Sequence, residues 1–307
     1  MSTALIFPGQ ASQSVGMGRD LYESFDIAKE MFLKANDILG FDLTNVCFNG
    51  PLQALTQTKV TQPALFVVSS ILSKLLLDNN FKFSAVAGHS LGEYSALYAA
   101  GVFTYEEGLE LVKVRAESMQ IAGEKNPGTM AAILNLDKDM IQEACDKASG
   151  TGIVKIANHN SPGQIAISGD IEAVQEAMRI TKELGAKRAI QLEVGGAFHS
   201  PLMSYATEKL QEKLATLTFC QPAQNVYCNV DAEKHRDPNN LTENLVAQIE
   251  SAVLWSDIIQ NMKKDGISKC IEVGPGKVLR GLVKRIDKDM ALDGFSNVTD
   301  LAVVGIH

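Results

Sequence analysis

The stretch Ala85-Val86-Ala87-Gly88-His89-Ser90-Leu91-Gly92 is a four-residue run of small apolar residues that leads into a serine flanked by two glycines. Its length and apolar character predict a short buried strand over 85–88. The small and apolar residues 93–100 predict a helix ended by Gly101 near its C-cap. A chain that passes from strand to helix through Gly-x-Ser-x-Gly makes a sharp turn. The glycines admit the tight backbone, the turn exposes the hydroxyl, and the helix N-terminus favours developing negative charge. Ser90 is therefore the candidate nucleophile of an acyl-transfer enzyme, against the plainer alternative of a bystander serine in a glycine-rich turn.

Outward from this turn, short apolar runs alternate with amphipathic stretches, the pattern of an α/β protein. Residues 4–7 predict a first strand broken by Pro8-Gly9, and residues 21–39 a long helical region. Residues 61–77 predict a helix with Pro63 in its first turn, and residues 269–273 a strand before Gly274-Pro275-Gly276 and a helix from about Val278. The middle of the chain differs. Strands over 130–136, 153–157, 164–168 and 187–194 and helices over 139–147 and 171–184 follow in the order β-α-β-β-α-β, the ferredoxin-like unit. The expected organisation is a large α/β-hydrolase-like domain with a short parallel sheet over 1–124 and 196–307, interrupted by a small ferredoxin-like domain over 125–195.

The 307 residues suffice to bury a large core without staples, and 21% charged residues are ordinary for a folded domain. A net charge of −8 disfavours nonspecific binding to nucleic acid or an anionic membrane. The cysteines (Cys47, Cys145, Cys220, Cys228, Cys270) are odd in number and show no Cys-x-x-Cys pair, which points to reduced thiols and away from a metal site. The N-terminus has no basic segment before its short apolar run, so no signal peptide is expected, and no uninterrupted apolar run reaches the ~18 residues of a membrane span. A cytoplasmic setting is expected, with a plastid stroma as the alternative, and nothing demands more than a monomer.

A serine nucleophile needs a base. His307 is terminal, His235 lies in a polar loop, His89 adjoins Ser90 on the backbone so that its ring points away, and His159 falls in the expected hairpin turn. His199, in Val194-Gly195-Gly196-Ala197-Phe198-His199-Ser200-Pro201, is the candidate, although a histidine packed in a loop fits the residues equally. No acid stands out to orient it. Arg115 shares a helix face with Leu111, Val112 and Met119, and an arginine in an apolar stripe must find an anion. That anion is either a structural carboxylate or the carboxylate of a substrate held by the two-pronged guanidinium. Phe7-Pro8-Gly9-Gln10-Ala11-Ser12-Gln13 follows the first strand, where backbone amides can face the serine.

Taken together, Phe7-Pro8-Gly9-Gln10, Gly88 to Leu97, Arg115, Asn160-Ser161-Pro162-Gly163-Gln164, Phe198-His199 and Glu272-Val273-Gly274-Pro275-Gly276-Lys277 resemble the free-standing malonyl-CoA:acyl carrier protein transacylases of type II fatty acid synthesis over nearly the whole chain. The resemblance implies malonyl-CoA as substrate, acyl carrier protein as partner and no permanently bound cofactor. It implies that Ser90 carries the malonyl group, that His199 is its base, and that the backbone carbonyl of Gln248 orients His199. The amides of Gln10 and Leu91 would form the oxyanion hole. Arg115 would bind the free carboxylate, beside Met119, Phe198 and Gln10. Ala11 stands where the family commonly has glycine, which is tolerable if φ there is negative. For an acidic carrier, Lys277, Arg280 and Lys284 at i, i+3 and i+7, with Arg285, offer one basic face, and Lys187-Arg188 a second.

Overall fold

The computed structural model describes residues 2–307. Its strands, in chain order, are β1 (Ser2–Phe7), β2 (Ala85–Gly88), β3 (Gly128–Leu134), β4 (Val154–Ser161), β5 (Gln164–Asp170), β6 (Arg188–Gln191), β7 (Asn225–Tyr227), β8 (Lys234–His235), β9 (Ile267–Val273) and β10 (Ala291–Phe295). One sheet runs β10-β9-β1-β2-β7-β8, parallel throughout except for the β7–β8 pair. A separate antiparallel sheet runs β4-β5-β3-β6. The chain is thus mixed α/β, as the alternating apolar runs indicate.

β1 and β2 are apolar because the middle of the parallel sheet is covered on both faces. In register, Phe7 pairs with Gly88 and Ile6 with Glu272. Parallel strands end at the same edge, so the loops after Phe7, Gly88 and Val273 converge there, where open α/β sheets place their ligands. The helix Thr58–Asp78 backs this region. By length and composition it is apolar enough to cross a membrane, yet 89% of its apolar window is buried inside the protein, so it is a core helix. It begins one residue before Lys59, earlier than expected, which leaves Pro63 beyond its first turn.

Two other expectations are corrected. Residues 21–39 form two helices, Arg19–Ser24 and Asp26–Leu39, because Phe25 is extended at φ −127° and ψ 125°. The polar turn expected after residue 157 is largely strand: β4 continues to Ser161, and only Pro162 and Gly163 separate it from β5. The extension has a second partner that local sequence does not reveal. His159 N–H donates to the Val253 carbonyl at 2.9 Å and Val253 N–H to Ala157 at 2.9 Å, tying the antiparallel sheet to the segment before the helix Trp255–Lys264. His159 therefore lies in a strand, with Nδ1 2.8 Å from Asp257 Oδ2.

Glu272, wholly buried at the end of β9, explains the Glu-Val-Gly-Pro-Gly-Lys run. Its carboxylate accepts from the backbone N–H groups of Leu279 and Arg280, both at 3.0 Å, in the first turn of the helix Val278–Ile286. It also pairs with Arg280 Nε at 3.3 Å. This caps the helix and fixes it to the sheet. Glu272→Ala orphans one buried and one partly buried backbone donor and removes the carboxylate from Arg280, and chemical denaturation is expected to show a loss of about 2–4 kcal/mol. A loss under about 0.5 kcal/mol would mean the cap is not needed.

Candidate active site

Ser90 sits at φ +52°, a left-handed conformation costing a non-glycine residue about 1–2 kcal/mol. Close packing enforces it. A Cβ on Gly88 would fall 1.8 Å from the carbonyl carbon of Gly92, and one on Gly92 would fall 2.0 Å from the Phe7 carbonyl oxygen. The turn is also clipped from outside: Ser90 N–H donates to Asn229 Oδ1 at 2.7 Å, and Asn229 Nδ2 donates to the Gly88 carbonyl at 2.7 Å.

His199 is also left-handed, at φ +61°, and buried. Its Nε2 lies 2.8 Å from Ser90 Oγ and its Nδ1 2.9 Å from the Gln248 carbonyl oxygen. A carbonyl only accepts, so Nδ1 carries the proton and the Nε2 lone pair faces the serine hydroxyl. Burial, and next the positive charge of Arg115, bring the imidazole down to about 3, which keeps the ring neutral near pH 7. Gln248 closes the helix Pro238–Gln248, so the end of that helix sets the orientation of His199.

Arg115 is wholly buried in the helix Tyr105–Lys125. Its Nη1 donates to Gln62 Oε1 at 2.6 Å, and its Nη2 donates to Ser90 Oγ and to Gln248 Oε1, both at 3.0 Å. The guanidinium lies 5.4 Å from the centroid of the Tyr94 ring. Among the described residues, no carboxylate pairs with it. The structural acid that the sequence left open as its partner is absent from its contacts, so a full positive charge stands beside the serine hydroxyl with only neutral acceptors around it.

Other predicted residues connect to the same network or lie beside it. Gln62 Nε2 reaches Gln10 Oε1 at 3.2 Å and Met119 Sδ at 3.5 Å, and Phe198 is buried next to His199. Gly9 packs so closely on the elbow that a Cβ there would fall 2.4 Å from the His89 carbonyl oxygen, which brings the Gln10 loop against it. Among the described residues, neither the Gln10 nor the Leu91 N–H is taken by a protein acceptor. His89 points away from the hydroxyl, as expected, with Nε2 2.8 Å from Asn160 Oδ1 and its ring against Trp255.

An acyl transferase domain model matches residues 4–306. The malonyl CoA-acyl carrier protein transacylase of Haemophilus influenzae is 40% identical over 303 residues, covering 98% of this chain and 97% of that protein. The corresponding protein of Escherichia coli K12 is 42% identical over 284 residues, 92% of each chain. The chain belongs to the malonyl CoA-acyl carrier protein transacylase family. Among solved members of this transacylase family, the acyl carrier protein S-malonyltransferase of Vibrio cholerae superposes with a TM-score of 0.95 at 40% identity, covering 99% of this chain and all of that one. A malonyl-transacylase solved in complex with its type II PKS acyl-carrier protein superposes with the same score at 37% identity, covering 99% and 98%.

Two expectations drawn from the transacylase resemblance need correction. Ala11 has φ +79°, so the condition that made it tolerable fails and it carries strain that glycine would not. Arg280 does not belong to a free basic face, because it is engaged by Glu272 and by the Gly276 carbonyl. Lys277, Lys284 and Arg285 are exposed along the helix Val278–Ile286 and its N-cap, with Arg285 reaching Gln164 at 2.5 Å. Lys187 and Arg188 are exposed at the start of β6.

Sequence reasoning missed Gln62, Glu93 and Asn229 as site residues. Glu93 left a signal, the one charged residue in the run 93–100, whereas Gln62 follows Lys59 and Thr61 and does not stand out. Asn229 left none, since its role depends on a fold contact across 139 residues. Because the His199 pKa is depressed, its neutral form persists well below the usual histidine range. Under single-turnover conditions, acylation of the free enzyme is expected to lose less than about half its rate between pH 7.5 and 5.5. A drop centred near pH 6.5 that His199 variants abolish would contradict this.

Proposed function

We propose that this chain transfers a malonyl group from malonyl-CoA to the phosphopantetheine thiol of an acyl carrier protein through a malonyl-Ser90 ester, supplying malonyl carrier protein for fatty acid synthesis. The observation that carries the reading is the buried guanidinium of Arg115, 3.0 Å from the Ser90 hydroxyl and, among the described residues, unpaired with any carboxylate. Acetyl and other neutral acyl groups leave that charge uncompensated, whereas the free carboxylate of malonate compensates it. Met119, Phe198 and Gln10 line the acyl space.

Two symmetrical half-reactions follow. In the first, His199 Nε2 takes the Ser90 proton as Oγ attacks the thioester carbonyl, and the Gln10 and Leu91 amides hold the oxyanion. Collapse expels the coenzyme A thiolate, which takes the proton back from the imidazolium. In the second, the carrier thiol gives its proton to His199 and attacks the ester, and collapse returns the proton to Ser90. The Gln248 carbonyl keeps the imidazole aligned and stabilises the imidazolium, a task elsewhere given to a carboxylate.

The strand order β4-β5-β3-β6 and the β-α-β-β-α-β succession support a ferredoxin-like unit over 125–195 set into an α/β-hydrolase-like unit over 1–124 and 196–307. We place carrier docking on Lys277, Lys284, Arg285, Lys187 and Arg188, whose charge complements an acidic carrier. One chain supplies every residue named, so a monomer suffices. The unpaired cysteines fit a cytosolic setting.

Intact-protein mass spectrometry after brief exposure to malonyl-CoA tests the central step. Wild type is expected to gain one malonyl-sized adduct that carrier protein discharges, and Ser90→Ala to gain none. Malonate accumulating in place of carrier loading would make the chain a hydrolase. No adduct in folded wild type would make it a carrier-binding protein without turnover.

A further inference from the structure

Glu93 lies in the first turn of the helix Gly92–Ala99 and is 1% exposed; its backbone N–H donates to the Ser90 carbonyl at 3.1 Å, and its carboxyl group makes no hydrogen bond to Ser90, His199 or Arg115. Its Oε2 accepts from the Asn229 backbone N–H at 2.9 Å and from Gln248 Nε2 at 3.0 Å. Among the described residues, its Oε1 has no partner.

The surroundings of the Gln248 amide give that contact its meaning. Nε2 faces three acceptors: the Ser90 carbonyl at 3.0 Å, Glu93 Oε2 at 3.0 Å and Asn229 Oδ1 at 3.4 Å. Oε1 faces the Arg115 Nη2 donor. Turning the amide over would set one oxygen against three others and press an NH2 group on a guanidinium. Burial pushes the Glu93 acid up to about 7, and with any proton on the free Oε1 its Oε2 accepts in both forms; of the three acceptors it is the one supplied by a side chain with no other task at the serine. The same oxygen fixes the backbone of Asn229, whose side chain clips Ser90 and Gly88. One buried acid thereby joins the cation to the nucleophile turn through two intervening residues.

We infer that Glu93 is a positioning residue for acyl selectivity: its carboxylate locks the Gln248 amide in the orientation that aims Oε1 at Arg115, holding the guanidinium where a substrate carboxylate meets it. This rests on the reading of Arg115 as the malonyl carboxylate site. Glu93 touches no substrate and moves no proton. It acts by withholding from Gln248 the freedom to present its NH2 group to Arg115.

The test compares kcat/KM for malonyl-CoA with that for acetyl-CoA across four variants of the full chain. Glu93→Leu is expected to lower the malonyl-to-acetyl ratio about tenfold, mainly through KM for malonyl-CoA. Glu93→Gln keeps an acceptor in place and should hold the ratio within about threefold of wild type. Gln248→Leu keeps the backbone carbonyl for His199, removes only the amide, and should lower the ratio as Glu93→Leu does. The double variant should be no lower in ratio than Gln248→Leu alone. Equal losses for both acyl groups in Glu93→Leu, or a double variant whose ratio falls by the product of the single effects, would overturn the inference. If Glu93→Leu does not fold, an unchanged ratio in Gln248→Leu or a tenfold fall in Glu93→Gln overturns it. Failure of the underlying reading shows separately, as a wild type without a malonyl adduct.

Discussion

A buried cation that meets no anion among the described residues organises this site. Removing a guanidinium from water costs several kcal/mol unless its donors are met, and Arg115 meets two carboxamide oxygens, a hydroxyl and the face of Tyr94. Those partners are neutral, so the charge is held in position without being cancelled. Several features follow from keeping it so. Gln62 must reach inward from a helix that is otherwise core, and Gln248 must offer its side chain to Arg115 while its backbone carbonyl serves His199. Because both groups belong to one residue, the end of a single helix fixes the base and the cation together. The same positive charge helps depress His199, so the anion site and the neutral imidazole base are coupled electrostatically.

The second constraint is backbone strain. Ser90 and His199 both hold left-handed conformations that no side chain favours, and together they store a few kcal/mol. The glycines at 88 and 92 make the turn sterically possible, and Asn229 holds it closed. The antiparallel sheet adds support from the other side, since Asn160 holds His89 and Gln164 receives Arg285. The Asn-Ser-Pro-Gly-Gln run is therefore a brace between the two sheets as well as a turn.

How far the sequence could be read depended on how local each feature is. The strand over 85–88 and its turn were legible to the residue, because apolar run, glycine spacing and helix start lie within a dozen positions. The β-α-β-β-α-β order was legible for the same reason. The break at Phe25 was not, since the apolar periodicity continues across it. The true role of residues 158–161 depends on pairing with Val253, nearly a hundred residues on, and reads locally as a polar turn. Arg115 and His199 could be singled out by residue type, but which partners they meet could not. Gln248 entered only through the family resemblance. Ala11 misled in the other direction, because nothing in its neighbours announces φ +79°.

The most direct measurement is the ratio of kcat/KM for malonyl-CoA to that for acetyl-CoA in wild type and in Arg115→Ala. If the buried cation waits for the malonyl carboxylate, wild type favours malonyl by about a hundredfold or more, and the variant falls below about tenfold as malonyl transfer collapses and acetyl transfer persists. A variant that loses both activities in proportion, keeping the wild-type ratio, would contradict it and make Arg115 a structural support of the serine.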